Sequence, residues 1–233
     1  MNIHLFFDLL AYGIGAFLTL KLFYPQKNYI SNENIRYSYY TTALLGAVIG
    51  AIIIGSINTY YSLNQENFII GKSILGAIVG GVIFIEIFKK IMKIKGSTGA
   101  YFVPSLTLGI AIGRIGCFMA GLEDYTYGIE TTFVFGYDFG DGLYRHPVQL
   151  YESATMALFF IYVVYIYFKD RVYFEKHIFY QFILLYATQR FIWEFLKPYE
   201  SILWGLNIFQ FFCLGLVMYA LYYLKRVNDN GKL

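Results

Sequence analysis

Seven apolar stretches, each long enough to cross a lipid bilayer, follow one another along the 233 residues of this chain. Hydropathy places them near residues 4–23, 38–60, 73–89, 99–121, 147–168, 178–196 and 203–223. A helix needs ~20 apolar residues to span the hydrocarbon core, where every backbone polar group must be bonded inside the segment. The sequence therefore predicts an all-α, polytopic membrane protein: a single domain over 1–233 with seven transmembrane helices.

The composition excludes several classes of protein. Charged residues make up 14% of the chain and apolar residues 58%, whereas a soluble domain carries roughly 25% charge. A soluble enzyme, a disordered chain and a nucleic-acid-binding protein are therefore disfavoured, and we expect no nucleic-acid partner. Cys117 and Cys213 both lie in apolar stretches, which gives neither a disulfide framework nor zinc-ligand spacing.

The basic residues predict the orientation. Twelve Lys and Arg residues lie in the loops after spans 1, 3 and 5 and in the C-terminal tail, and only three lie in the alternate loops. Lys and Arg are retained on the cytoplasmic side of a membrane. The sequence therefore predicts an N-terminus outside and a C-terminus inside, in a multi-pass protein of the bacterial inner membrane.

Most ionisable side chains within the predicted spans fall in their outer halves. Such groups are costly in lipid and are functional candidates by default. With the orientation above, the outer half holds Asp8, Tyr12, Arg114, Arg190 and Glu194, with His146 and Glu152 at the outer mouth of span 5. Purely structural roles stay open: Arg190 and Glu194 can neutralise each other, and Arg114 can pair with an acid from another helix.

The segment at about 122–146, between spans 4 and 5, is the longest outer loop. It is rich in glycine and acidic residues. Irregular backbone at membrane depth is tolerated only beside protein or water. The loop is therefore either a lid or re-entrant element over a site, or a solvated acidic loop.

The arginines suggest a phosphate ligand. A guanidinium group grips a phosphate with two parallel hydrogen bonds, and in the outer leaflet the abundant phosphate belongs to phospholipid head groups. A transferase there must also stabilise a departing phosphate and deprotonate a nucleophile. Arginine suits the first task, and a histidine, tyrosine or carboxylate suits the second.

Three separated motifs resemble one family. Residues 113–121 read GRIGCFMAG and are followed by Gly128; residues 146–152 read HPVQLYE; residues 186–195 read YATQRFIWEF. Together with Tyr12-Gly13 in the first span, these motifs resemble the bacterial prolipoprotein diacylglyceryl transferase family over nearly the whole chain. The family is seven-spanning with an external N-terminus, in agreement with the charge count.

The resemblance implies an activity and roles for particular residues. The family transfers the diacylglyceryl group of phosphatidylglycerol to the lipobox cysteine thiol of a preprolipoprotein, without metal or organic cofactor. Arg114 and Arg190 match the essential arginines, Tyr12 and Tyr186 the site tyrosines, and Gly128 the glycine that closes the signature. We expect phosphatidylglycerol, preprolipoprotein signal peptides and membrane lipid as partners, and Glu152 and Glu194 as substrate-binding residues.

The chain departs from the family pattern in its signature. Cys117 and Ala120 replace two asparagines, Leu122 stands at the glutamate position, and Leu75 aligns with a histidine proposed as the base. Part of the family's periplasmic head segment is missing. We expect Cys117 to line the substrate site as a packing residue rather than act as a nucleophile.

The missing histidine leaves the base open. His146 is our candidate, against a plain role in fixing the start of span 5. Two other functions stay open: transfer from the same lipid to a different acceptor, and phospholipid transport or scrambling without catalysis.

Overall fold

The computed structural model describes residues 3–23, 30, 32–62 and 70–230, and it is all-helical apart from one short hairpin. Its helices are α1 (Ile3–Phe17, continued by a π-helical turn Leu18–Leu22), α2 (Glu33–Ser62), α3 (Ile74–Met92), α4 (Val103–Ala120), α5 (Val148–Lys169), α6 (Arg171–Trp193) and α7 (Ile208–Asn230). Lys27 and Lys232 of the charge count lie outside the described residues.

Helices from five parts of the described chain are long and apolar enough to cross a membrane: Leu5–Leu22, Glu33–Tyr61, Ala100–Asp124, Val148–Lys169 and Ile208–Asp229. The prediction of an all-helical, multi-pass membrane protein is thereby confirmed. Helices α3 and α6 are outside this set. Helix α3 carries Glu86, Lys89 and Lys90 near its end, and α6 carries charged and polar residues along its length.

The first compact unit comprises Met1–Pro25, Ser97–Pro198 and Tyr219–Leu233. In it α4 packs against both α1 and α5, and α5 packs against α6. Part of the core between these helices is apolar, where the fully buried residues are Val103, Val148, Met156, Val163, Phe174 and Phe182. The second unit comprises Gln26–Gly96 and Tyr199–Met218 and contains the α2–α3 pair.

Glycines four residues apart bring α2 and α3 close together. A Cβ atom on Gly50 would lie 2.8 Å from the Cα of Gly80, and one on Gly46 would lie 2.6 Å from the Cβ of Phe84. Small residues four apart permit this approach of two backbones. The same spacing at Gly109 and Gly113 has a different outcome, because a Cβ at Gly113 would meet nothing within 4 Å.

Helix α6 begins earlier than the hydropathy indicates. The sequence predicted a loop over 169–177, but only Asp170 separates α5 from α6. Its carboxylate Oδ1 accepts a hydrogen bond of 2.9 Å from the amide of Tyr173. An aspartate in this position caps the free N–H groups of a helix start, so the polar segment after Asp170 becomes the first turns of α6.

The loop of about residues 122–146 is an ordered structure, which we call the 122–146 loop. After a 3₁₀ turn (Gly121–Asp124) it forms an antiparallel hairpin of β1 (Tyr137–Asp138) and β2 (Tyr144–Arg145), with Tyr137 opposite Arg145. Asp138 Oδ1 accepts hydrogen bonds from the amides of Gly140 and Gly142 inside the hairpin turn. Gly140 and Gly142 therefore form the hairpin turn, and the Asp138 side chain stabilises it.

Candidate active site

Arg114 and Arg190 meet on one carboxylate. Nε of Arg114 lies 2.5 Å from Oε2 of Glu152, and Nη1 of Arg190 lies 2.6 Å from Oε1 of the same glutamate. The three residues come from α4, α5 and α6. The sequence placed both arginines at similar depth, and the structure shows that Glu152 joins them.

The cluster has a second acid and a third cation. Arg190 Nη2 lies 2.7 Å from Oε1 of Glu194, and Nζ of Lys197 lies 2.9 Å from Oε1 of Glu152 and 3.6 Å from Glu194. The predicted spans place Lys197 in an outer loop, whereas the structure buries it in the cluster. Its spacing gave a signal, because positions 190, 194 and 197 fall on one helical face.

Packing between α4 and α5 sets Glu152 opposite Arg114. The Ser153 hydroxyl donates a 2.8 Å hydrogen bond to the carbonyl of Ala111 and ties the two helices together one turn from Arg114. At the end of α6 the chain tightens into a 3₁₀ turn, Glu194–Leu196. The amide of Ile129 in the 122–146 loop then donates to the carbonyl of Leu196, which fixes the backbone beside Lys197.

The charges in this cluster are almost completely removed from solvent. Side-chain exposure is 7% for Arg114, 4% for Arg190, 2% for Glu152 and 0% for both Glu194 and Lys197. A buried charge is tolerated only when it is paired and hydrogen-bonded. The cluster contains three basic and two acidic side chains, and this larger number of basic groups is suited to an anion.

Tyr186 and Cys117 are buried on the helices that carry the two arginines. Tyr186 lies on α6, one turn before Arg190. The sulfur of Cys117, on α4, lies 4.0 Å from Nη1 of Arg114. Their roles in substrate binding stay predictions.

His146 lies at the start of α5, in a separate aromatic group. Its Nδ1 is 3.3 Å from the hydroxyl of Tyr151, and the Tyr151 ring packs against Trp193. The backbone of His146 is fully used, because its amide donates to Ile129 and its carbonyl accepts from Gly128. This backbone role matches the structural alternative, and the proposed role as a base stays a prediction.

Gly128 holds the 122–146 loop against the start of α5. A Cβ atom there would lie 2.5 Å from the carbonyl oxygen of His146 and 2.9 Å from Cγ2 of Val148. The space is therefore closed to any side chain. This close approach is a sufficient reason for a glycine at this position. Substrate binding at Gly128 stays a prediction.

Tyr12 is not bonded to the cluster within the described part of the chain. It is 73% exposed on α1, and no hydrogen bond or ion pair joins it to the arginines or to Glu152. The ion pairs thus connect Arg114, Arg190, Glu152 and Glu194 but do not include Tyr12. Its catalytic role stays a prediction.

Comparison with known proteins identifies the family. The family model described as prolipoprotein diacylglyceryl transferase matches residues 1–226. The chain belongs to the prolipoprotein diacylglyceryl transferase family. The resemblance of the three motifs is thereby confirmed, and the protein is an enzyme of the transferase class.

Curated relatives agree with the family. A phosphatidylglycerol–prolipoprotein diacylglyceryl transferase of Ehrlichia ruminantium (strain Welgevonden) is 31% identical over 204 residues, covering 84% of this chain and 76% of the relative. Proteins of the same name from Nitratidesulfovibrio vulgaris (strain DP4) and Campylobacter jejuni subsp. doylei are 31% and 29% identical. These two matches cover 81% and 94% of this chain, and 74% and 90% of the relatives. None of the three names refers to transport.

Proposed function

We propose that the protein transfers the diacylglyceryl group of phosphatidylglycerol to the lipobox cysteine thiol of a preprolipoprotein, and releases glycerol phosphate. The observation that carries the proposal is the buried cluster of Arg114, Arg190 and Lys197 around Glu152 and Glu194. The cluster has more basic than acidic side chains, and guanidinium groups in a low-dielectric site suit the negative charge of a phosphodiester.

The proposed reaction is a displacement at carbon. The thiolate sulfur attacks the glycerol carbon that bears the phosphate, a C–S bond forms, and the C–O bond breaks with its electron pair leaving on the phosphate oxygen. Arg114 and Arg190 stabilise the charge that develops on the departing phosphate. Glu152 positions both guanidinium groups, because each of its oxygens holds one of them.

The thiol must lose its proton before or during attack, because the thiolate is the nucleophile. A cysteine thiol has a pKa of about 8.5 and is only a few per cent ionised at neutral pH. We propose His146 as the base, with Tyr12 and Tyr186 at the substrate. The hydroxyl of Tyr151 lies 3.3 Å from Nδ1 of His146, and the Tyr151 ring packs against Trp193.

We further propose seven membrane crossings in one domain, with the N-terminus outside and the C-terminus inside, in the bacterial inner membrane. The alternation of basic residues between loops supports this topology. Single cysteines at Lys95 and Asp141 in a Cys117→Ala, Cys213→Ala background test it. A membrane-impermeant thiol reagent applied to intact cells should label position 141 and not position 95. The opposite labelling would contradict the orientation.

The activity itself is tested with purified protein, labelled phosphatidylglycerol and a lipobox peptide. We expect a thioether product in the wild type. Arg114→Lys should lower the rate by about 100-fold or more, because a point ammonium lacks the planar donor pair that an arginine presents. Arg145→Lys, in the exposed hairpin, is the matched control and should keep wild-type activity. Full activity of Arg114→Lys, or absence of thioether product in the wild type, would contradict the proposal.

A further inference from the structure

Several buried polar atoms of the described residues have no hydrogen-bond partner, and Gln149 on α5 is unsatisfied at both atoms of its amide. Gln149 is 1% exposed, and neither its Nε2 nor its Oε1 has a hydrogen-bond partner among the described residues. A buried polar group without a partner costs about 1–3 kcal/mol, and such groups are rare in folded proteins. An amide that is unsatisfied on both sides therefore points to a ligand that supplies a donor and an acceptor.

The helical register places Gln149 on the side of α5 that faces the cluster. It precedes Glu152 by three residues and Ser153 by four, and residues at these spacings lie on one face of a helix. Ser153 contacts α4 through Ala111, and Glu152 contacts Arg114. At a rise of ~1.5 Å per residue, Gln149 lies about 4.5 Å nearer to the 122–146 loop than Glu152 does.

The position matches the order of groups along a phospholipid. When the phosphate is held at Arg114 and Arg190, the acyl-bearing glycerol lies on one side of it and the head group on the other. The head group of an outer-leaflet lipid points toward the aqueous side, which is the side of the 122–146 loop. Gln149 therefore lies on the side of the phosphate where the head group of the lipid is expected.

The chemistry of the amide selects among head groups. A carboxamide donates through Nε2 and accepts through Oε1. The ammonium of ethanolamine only donates and would leave Nε2 unpaired, and choline has no hydroxyl or N–H to offer. A glycerol head group carries two hydroxyls, one of which can accept from Nε2 while the other donates to Oε1.

We propose that Gln149 is a specificity-determining residue that binds the glycerol head group of the donor lipid and thereby selects phosphatidylglycerol. The proposal rests on the proposed function, since it assigns the head-group end of that donor. A site built to hydrogen-bond a substrate hydroxyl rejects the analogue that lacks it, because the protein's polar groups are then left unpaired. The head group that Gln149 binds belongs to the leaving group, because the glycerol phosphate is released intact.

The test compares two donors that differ only in the head-group hydroxyls. Phosphatidylglycerol and phosphatidylpropanol share the phosphodiester and the acyl chains, but the propyl head group, esterified through its one oxygen, carries no free hydroxyl. Wild-type protein should prefer phosphatidylglycerol by at least about 10-fold in kcat/KM, the effect of about 1.4 kcal/mol. Gln149→Met, similar in size and without the amide, should reduce this preference to about 2-fold or less and keep the rate with phosphatidylpropanol.

Two further variants control for structure. Ser153→Ala removes a buried hydrogen bond one turn away on the same helix. It should change kcat/KM by the same factor with both donor lipids. Gln149→Asn keeps an amide but withdraws it by one methylene, and should reduce the preference several-fold while folding like the wild type. A circular dichroism melt and size-exclusion profile verify folding in each case.

An equal loss of kcat/KM with both donor lipids in Gln149→Met and Gln149→Asn would assign the amide a structural role and overturn the proposal. An unchanged preference for phosphatidylglycerol in these variants would also overturn it. Failure of the proposed function is recognised separately, by the absence of thioether product from wild-type protein with either lipid. Binding of the two lipids, measured by native mass spectrometry, then replaces kcat/KM as the readout. A preference for phosphatidylglycerol that Gln149→Met abolishes supports the inference, and its absence overturns it.

Discussion

Arg114 on α4 and Glu152 on α5 form a buried ion pair, with Nε of the arginine 2.5 Å from Oε2 of the glutamate. The second oxygen of the same carboxylate holds Arg190 and Lys197. One acid thus organises three cations drawn from α4, α6 and the segment after α6. The arrangement accounts for how the two signature arginines come to lie side by side.

Removal of this acid should destabilise the protein. In Glu152→Gln the three cations lose their shared counter-charge, and breaking a buried ion pair from one side costs about 3–5 kcal/mol. We expect a clear fall in the thermal unfolding midpoint in detergent, together with loss of transfer activity. Glu123→Gln, an exposed acid in the same unit, is the control and should melt like the wild type. Equal melting of both variants would show that Glu152 is not the organising charge.

Lys197 should contribute to binding of the anionic lipid. Lys197→Met leaves two arginines and two glutamates in the cluster. It removes a cation that lies 2.9 Å from Glu152 and 3.6 Å from Glu194. A hydrogen bond to a charged group contributes about 1.5–3 kcal/mol, so the KM for phosphatidylglycerol should rise by about 10-fold. Steady-state kinetics with Lys169→Met, an exposed lysine, give the reference. An unchanged KM would remove Lys197 from the binding site.

The glycine that closes the signature should be required for folding of the loop. In Gly128→Ala the new methyl group overlaps the carbonyl of His146 and Cγ2 of Val148. Overpacking of this kind costs about 1–3 kcal/mol, so the unfolding midpoint should fall and the 122–146 loop should become sensitive to protease. Gly113→Ala, where a Cβ meets nothing within 4 Å, should melt at or above the wild-type temperature. Retained stability of Gly128→Ala would contradict the close approach.

The hairpin should respond to acid through Asp141. Arg145 donates a 2.7 Å hydrogen bond to Asp141, and this bond lowers the pKa of the Asp141 carboxyl below its usual value. A carboxyl whose pKa is lowered by folding stabilises the fold above its unfolded pKa of about 3.9, and the stabilisation is lost as the pH falls through the folded value. At pH 7, Asp141→Asn should therefore loosen the hairpin relative to the wild type, and the difference should vanish well below pH 3.9.

Hydrogen exchange of the hairpin amides measures this difference. Glu130→Gln, an exposed acid of the same loop, serves as the comparison and should show wild-type exchange. A difference between Asp141→Asn and wild type that persists undiminished in strong acid would show that the ion pair does not stabilise the hairpin.

The early start of α6 shows where hydropathy fails. Residues 171–177 are polar enough to be assigned to a loop, yet the Asp170 cap and Tyr101, which donates a 2.6 Å hydrogen bond to Glu175, hold them in a helix. Hydropathy measures the preference of a residue for lipid. It carries no information on a cap or on a partner from a distant part of the chain.

The sequence by itself determined the all-helical membrane class, the family and the two arginines, because apolar length, charge distribution and motif spacing are properties of the chain. Only the tertiary structure decided that Glu152 joins Arg114 to Arg190, that Lys197 is a buried member of the cluster, and that the Tyr12 side chain is exposed. Those relations depend on the packing of α4, α5 and α6. Long-range pairing of charges follows from helix rotation and register, which periodicity within one helix does not specify.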